Sequence, residues 1–405
     1  MSSLPTVRFL DRTTPPHIAT LILLAGISAL NMSIFLPSLN IMAQDFGTDY
    51  ATIQFAVSGY LAATAVLQIA IGPLSDRFGR RAVVLAALMI FVLASAGAAL
   101  APTIGTFLVF RILQAAVATG IVLSRAIVRD IVPQDQAASM IGYVTMGMAL
   151  VPMLGPMVGG ALDEAFGWRS TLVFLAVAGT GVLALCYFDQ GETLSEGGMG
   201  FREQVAAYPV LLTSPRFWGY SLAAAFGSGA FFAYLGGAPF VANGLYGLSP
   251  LWTGIALGAP AAGYAFGNYL SGRFTVRVGV NTMAMIGTLI TLAGLGVSLL
   301  LALAGSESAW LFFGFCTIFG MGNGMLLPGA MAGSMSVRPR LAGTASGLSG
   351  ALMIGGGAAL SQLAGVVLEG QSSAIPLQVL MFACAVLSLL AVIFVIFRGR
   401  QVATA

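Results

Sequence analysis

The sequence predicts an all-α integral membrane protein, with twelve transmembrane helices in two pseudo-symmetric six-helix bundles. Three observations predict it. Of 405 residues, 58% are hydrophobic and 8% charged, against about 25% charged in a soluble domain. Twelve apolar runs are each long enough to cross ~30 Å of hydrocarbon as a helix. Threaded in order, these runs leave nearly all basic residues on one side of the membrane.

The chain opens with a polar cytoplasmic segment, 1–16, carrying Arg8 and Arg12. No small-residue cleavage site follows a short hydrophobic core, so it is not a secretory signal. Helices 1–6 are expected over 18–43, 51–74, 82–101, 104–128, 137–162 and 168–188, within an N-terminal bundle of 17–188. Residues 189–216 are the longest polar stretch and form a cytoplasmic linker with a short surface helix. Helices 7–12 are expected over 217–242, 251–272, 281–304, 309–334, 342–368 and 375–397, making a C-terminal bundle of 217–397. Residues 398–405 are a cytoplasmic tail. The runs are continuous rather than alternating, so they are helices and not barrel strands.

All 17 basic residues are arginine. With the N-terminus inside, Arg169 alone lies outside and Arg111 alone lies within the membrane; the others are cytoplasmic, and so are both termini. The net charge of +3 is small and scattered, which excludes a nucleic-acid surface. Cys186, Cys316 and Cys384 all sit in apolar runs and read as buried hydrophobes, with no metal pattern. His17 is the lone histidine. The sequence has no Walker loop, no zinc-protease motif and no nucleophilic triad, so a membrane-embedded enzyme is disfavoured.

The segment L-S-D-R-F at 74–78 recurs as L-S-G-R-F at 270–274, in the loop after the second helix of each half. Two parallel halves with a site at their midplane interface describe a transporter. The strongest local signal is G-P-L-S-D-R-F-G-R-R, Gly72 to Arg81. Gly72 would let helix 2 approach a neighbour closely. Asp76 would accept backbone N–H groups at a helix start or pair with an arginine. Gly79 permits a tight turn. Arg77, Arg80 and Arg81 complete the basic cluster, and Arg80 and Arg81 would meet the anionic inner leaflet. This segment resembles motif A of the major facilitator superfamily. The resemblance implies a cytoplasmic latch, closed when the transporter faces outward and broken when it faces inward, with Asp130 as a partner.

Arg111 and Gln114 form R-x-x-Q, which resembles motif B of the same superfamily, with Ala115 where the family has glycine. The resemblance implies proton coupling or substrate binding. An arginine at this depth either faces the bundle interior or snorkels to the outer interface. In helix 5, Pro152, Gly155, Pro156, Gly159 and Gly160 resemble motif C, the mark of the antiporters. Tight packing there would seal the outer leaflet. Ser33 to Leu39 and Arg125 to Asp130 resemble the Bcr/CflA multidrug exporter branch. That branch places a carboxylate in helix 1, where this chain has Ser33 with Asn31 nearby. All 14 acidic residues fall in loops or at helix ends.

The pocket is expected between the halves. Its candidate lining is Asn31, Gln54, Tyr60, Arg111, Gln114, Phe231, Phe232, Tyr234, Tyr264, Asn268 and Asn323. Aromatic faces with a few amides suit an amphiphilic organic solute, although each aromatic is also explained by packing or lipid contact. The expected function is export of small organic compounds across a bacterial cytoplasmic membrane, by a monomer. No cofactor or metal is expected, and the proton is the coupling ion. A metabolite or siderophore carrier, or a weakly coupled facilitator, is the alternative.

Overall fold

The structure, a computed structural model, describes residues 7–131, 151, 154–194, 209, 211–338 and 342–403. Among the described residues, helices occupy eleven of the twelve expected places and the last part of the remaining one, helix 5. Helix 1 runs from Ile18 to Ser33, breaks through the 3₁₀ turn Leu36–Ser38 and resumes at Leu39–Asp45. Helix 2 comprises Tyr50–Ile53 and Phe55–Phe78, and helix 3 is Arg80–Ala99. Helix 4 is Ile104–Leu113, a 3₁₀ stretch Gln114–Ala118 and Thr119–Ile131. Of helix 5, residues 154–166 are helical. Helix 6 is Arg169–Asp189. In the second half, helix 7 is Pro215–Pro239 and helix 8 comprises Pro250–Leu257 and Ala259–Val278. Helices 9 to 12 are Val280–Leu303, Ala309–Ser336, Ala342–Leu368 and Ile375–Ala403.

Ten of these, among the described residues, are long and apolar enough to span a membrane. The remaining two have simple reasons. Helix 5 lies partly outside the described residues. Helix 8 is divided at Leu257 and carries Arg273 and Arg277 on its last turns. The three cysteines are buried and free.

Proline explains the break in helix 1. Pro37 has no N–H to give to the carbonyl four residues back. Ser38 N bonds Phe35 O at 3.0 Å instead of continuing the helical ladder. The carbonyl of Ile34 is thereby left for a neighbour to approach, and helix 5 uses it.

The internal repeat needs a correction. The 74–78 motif lies on the last turn of helix 2 rather than in a loop, and the link to helix 3 is Gly79 alone, at φ 90°. The matching link between helices 8 and 9 is Gly279, at φ 86°. Aligning these two turns pairs Gly72 with Gly272 and Arg77 with Arg277. The L-S-x-R-F match is therefore out of register by one helical turn. In the structural register Asp76 corresponds to Val276 and Arg80 to Val280, so among the described residues the Arg80 carboxylate pairs have no counterpart in the C-terminal half.

The N-terminal segment folds back onto the C-terminal end of helix 6. Asp189, fully buried, accepts from Leu10 N at 2.7 Å, His17 N at 2.9 Å and Thr20 Oγ1 at 2.6 Å. Gly191 N adds a bond to Thr14 O at 3.1 Å. Each buried donor left without its acceptor costs ~1–3 kcal/mol. Asp189→Ala orphans three donors and is expected to lower the thermal unfolding temperature in detergent clearly, with Asp189→Asn milder; equal melting of all three proteins would contradict this clasp.

Candidate functional site

Arg111 is the centre of the N-terminal half and has no solvent exposure. Its Nη1 donates to Asn31 Oδ1 and to Gln114 Oε1, both at 2.7 Å. Its Nη2 donates to Asn31 O at 2.8 Å, and its Nε to Ala56 O at 3.0 Å. The guanidinium carbon lies 4.1 Å from the centre of the Phe35 ring and 4.4 Å from that of Tyr60. Gln114 in turn donates to Ser95 Oγ at 2.8 Å. Four of the five guanidinium donors thus meet neutral acceptors. Two aromatic faces share the charge. Among the described residues no carboxylate bonds it. Arg111 therefore faces the bundle interior and does not snorkel. It ties helices 1, 2 and 4, with helix 3 held through Ser95, at the level where helix 4 tightens into its 3₁₀ stretch. Asn31 Nδ2 is buried beside Tyr60 and meets strict hydrogen-bond geometry with no partner among the described residues.

Asn31, Tyr60, Arg111 and Gln114 are thus one cluster. The other predicted lining residues are dispersed. Gln54 lies at the junction of the halves, where its Nε2 donates to Ser361 Oγ at 2.8 Å. Phe232 packs under Gly357 of helix 11, with Phe231 half-buried beside it. Tyr234 is not brought to the interface. It is buried inside the C-terminal bundle among Phe312, Phe313 and Phe319, and its hydroxyl donates to Ala256 O at 3.1 Å. Asn323 likewise bonds within that bundle, to Gly227 O at 2.8 Å. Tyr264 and Asn268 are half-buried on helix 8. Asn268 lines a cleft of about 300 Å³ between helices 8 and 10.

The hydrogen bonds that join the two halves cluster at the ends away from the chain termini, the side that the arginine pattern reads as outer. Asn40 Nδ2 donates to Asn243 Oδ1 at 3.1 Å, and Tyr50 Oη to Gly236 O at 2.8 Å. Ser58 Oγ donates to Gln362 Oε1 at 2.7 Å, and Gln362 Nε2 to Ala51 O at 3.1 Å. Sequence reasoning missed Asn40, Tyr50, Asn243, Ser361 and Gln362, since lone polar residues near helix ends carry no local pattern. Motif C supplies the packing beneath them. A Cβ on Gly155 would stand 2.6 Å from Ser33 Oγ, and one on Gly159 would collide with the Ile34 carbonyl of helix 1. A Cβ on Gly160 would collide with the Pro250 carbonyl at the start of helix 8, while Gly254 of helix 8 abuts the carbonyl of Pro156. Pro152 lies outside the described residues. Helix 5 is thus wedged between helix 1 of its own half and helix 8 of the other.

At the opposite end, which carries the chain termini, Arg80 pairs with Asp76 at 2.5 Å and with Asp130 at 3.1 Å, and its Nη1 also donates to Ser75 Oγ. Arg80 is buried, so it does not meet the lipid surface; two carboxylates hold it in the protein. Glu192 of the linker, which the sequence did not single out, accepts from the backbone N–H groups of Arg80 and Arg81 at 2.9 and 3.2 Å. It fills the place at the start of helix 3 that Asp76 was one candidate for, where an acid meets the positive end of the helix. A Cβ on Gly79 would strike this carboxylate. Arg81 donates to Tyr187 O at 2.8 Å, and Arg77 is exposed. Gly72 makes no close approach: a Cβ there would meet nothing within 4 Å. These latch bonds all lie within the N-terminal half, where they bind helices 2, 3, 4 and 6.

Residues 21–362 match the Major Facilitator Superfamily model. The chain belongs to this superfamily. It is 28% identical over 395 residues to a bicyclomycin resistance protein homolog of Haemophilus influenzae, covering 96% of this chain and 98% of that one. It is 30% identical over 356 residues to multidrug resistance protein D of Escherichia coli, covering 87% and 89%. Its fold matches a bacterial homolog of the human lysosomal transporter Spinster, solved facing inward and occupied. The TM-score is 0.73 at 19% identity, over 95% of this chain and 96% of that one. The protein is a multi-pass membrane transporter, which agrees with the Bcr/CflA resemblance.

Two outcomes follow. Arg111→Lys keeps the charge but cannot reproduce the planar fork; with three donors for four acceptors it leaves at least one buried acceptor unpartnered, at ~1–3 kcal/mol. Transport in vesicles should fall about tenfold or more, and the melting temperature should drop. Gly160→Val puts a side chain where Pro250 O now sits, so reporter distances across the outer ends should lengthen; unchanged distances would contradict the wedge.

Proposed function

We propose that this transporter exports small amphiphilic organic compounds of the drug class from the cytoplasm, in exchange for protons, across a bacterial cytoplasmic membrane. Both termini lie in the cytoplasm, and the monomer is the working unit. The two halves rock about a central site near Arg111, opening to one side at a time. The observation that carries this reading is the motif C wedge, with Gly159 against helix 1 and Gly160 against helix 8. A glycine-lined seal at the outer end, under a belt of bonds between the halves, suits a carrier that must load from inside without leaking ions. The printed names of the relatives, bicyclomycin and multidrug resistance proteins, support organic antimicrobials as the substrate class. A buried arginine with neutral partners favours neutral or anionic solutes over cations.

Purified protein in vesicles, loaded with a labelled antimicrobial and set to run export toward an acidic compartment, tests it. Flux should rise severalfold with an imposed proton gradient and collapse to the passive level when an ionophore removes it. Flux that is carrier-dependent but indifferent to the gradient would leave a facilitator and overturn antiport.

A further inference from the structure

With no carboxylate among the bonds of Arg111, the titratable group of this transporter has to be sought at the helix ends. Most acids there are satisfied. Asp45 is held by Arg169 at 2.7 Å and by Trp168 at 3.1 Å. Asp49 caps helix 2 by accepting from Thr52 N at 2.6 Å. Asp189 takes three donors, and Asp76 and Asp130 share Arg80. Asp163, at the outer end of helix 5, is different. It is 6% exposed, its Oδ2 has no hydrogen-bond partner, and it forms no ion pair among the described residues.

Its surroundings are built from both halves. Ser38 of helix 1 lies beside it, its buried hydroxyl close to the carboxylate but outside hydrogen-bond geometry. The Leu36–Ser38 turn that carries Ser38 packs against the Pro250–Leu257 stretch of helix 8. Glu164, the next residue, reaches across the junction and accepts from Ser249 Oγ at 3.2 Å and Leu251 N at 3.4 Å. Glu164 is the charged group acting on Asp163. The outer arginine, Arg169, is engaged by Asp45 and leaves Asp163 uncompensated. An ionised carboxylate enclosed this way loses its hydration without gaining a counter-charge, and a bound proton removes that cost. Burial pushes the Asp163 carboxyl up, the Ser38 hydroxyl pulls it down, and the Glu164 charge pushes it up again.

We propose that Asp163 is the proton-binding site of the outer gate: it takes up one proton from the external medium as helices 5 and 8 close, and returns it as they part. Parting the halves removes helix 8 from over the Ser38 turn and lets water reach the carboxylate. The sign follows from linkage. The closed form binds the proton more tightly, so external acid favours closure and external alkali favours opening. This inference rests on the alternating-access reading above but not on antiport, and its test uses neither substrate nor gradient.

The test places spin labels at Gln44→Cys and Ser306→Cys, two exposed outer positions on opposite halves; the three native cysteines are buried. Distances are measured on reconstituted protein across a pH series. The closed-to-open ratio should rise as pH falls, by up to about tenfold per pH unit for one linked proton. Asp163→Asn, permanently neutral, should stay closed across the series, and Asp163→Glu should keep the response. Glu164→Gln should keep it but move it to lower pH, because the repelling charge is gone. A parent protein that ignores pH overturns the proposal, as does an Asp163→Asn response equal to the parent's. If Asp163→Asn does not fold, an unmoved midpoint in Glu164→Gln overturns it instead. Distances that respond to pH in a protein whose flux ignores the gradient would sink antiport and leave this site standing.

Discussion

Water is missing from the hydrocarbon, and that constraint organises the molecule. Each polar group carried into the bilayer has to be answered by protein or pays several kcal/mol. Arg111 shows how much structure one such group recruits. Its fork takes a backbone carbonyl from helix 2, both oxygens of Asn31 in helix 1 and Gln114 one turn on. Three helices are thereby set at fixed distances. The Phe35 and Tyr60 faces close the remaining directions, so the site is a rigid cage around a permanent cation.

The same constraint makes the outer gate what it is. The halves meet there through hydroxyls, amides and carbonyls, together with the Glu164 carboxylate at the start of helix 8. Neutral bonds of this kind are modest in net strength and exchange readily for water when the gate parts. Glycine does the rest. Where helix 5 meets the Ile34 and Pro250 carbonyls, backbone lies directly on backbone, and such contacts form or break as a unit because there is no side chain to adjust. A two-position gate suits alternating access better than a compliant one would.

The inner end is organised differently. Arg80, Asp76, Asp130 and Glu192 concentrate charge in one half, while the matching turn of the other half carries Val276 and Val280. The halves share a backbone plan but not this device. Asp189 ties the N-terminal segment to the same helix 6 end that leads to Glu192.

Composition and the count of apolar runs were enough for the fold class, because a bilayer leaves a chain this apolar few other options. Motif C was legible for a related reason: glycine at that spacing is needed where backbones touch. The repeat was misread by one turn, since five letters match on chemistry while the true register is set by which glycine adopts positive φ. Sequence placed Arg111 in the bilayer, but only the tertiary structure decided that its partners are Asn31, Gln114 and Ala56 O rather than an acid or the lipid surface. It also took Tyr234 and Asn323 out of the interface and put Asn40, Tyr50, Ser361 and Gln362 into the gate. Those partners lie up to several hundred residues apart in the chain, and no local pattern encodes a contact between helices that meet only after both halves have folded.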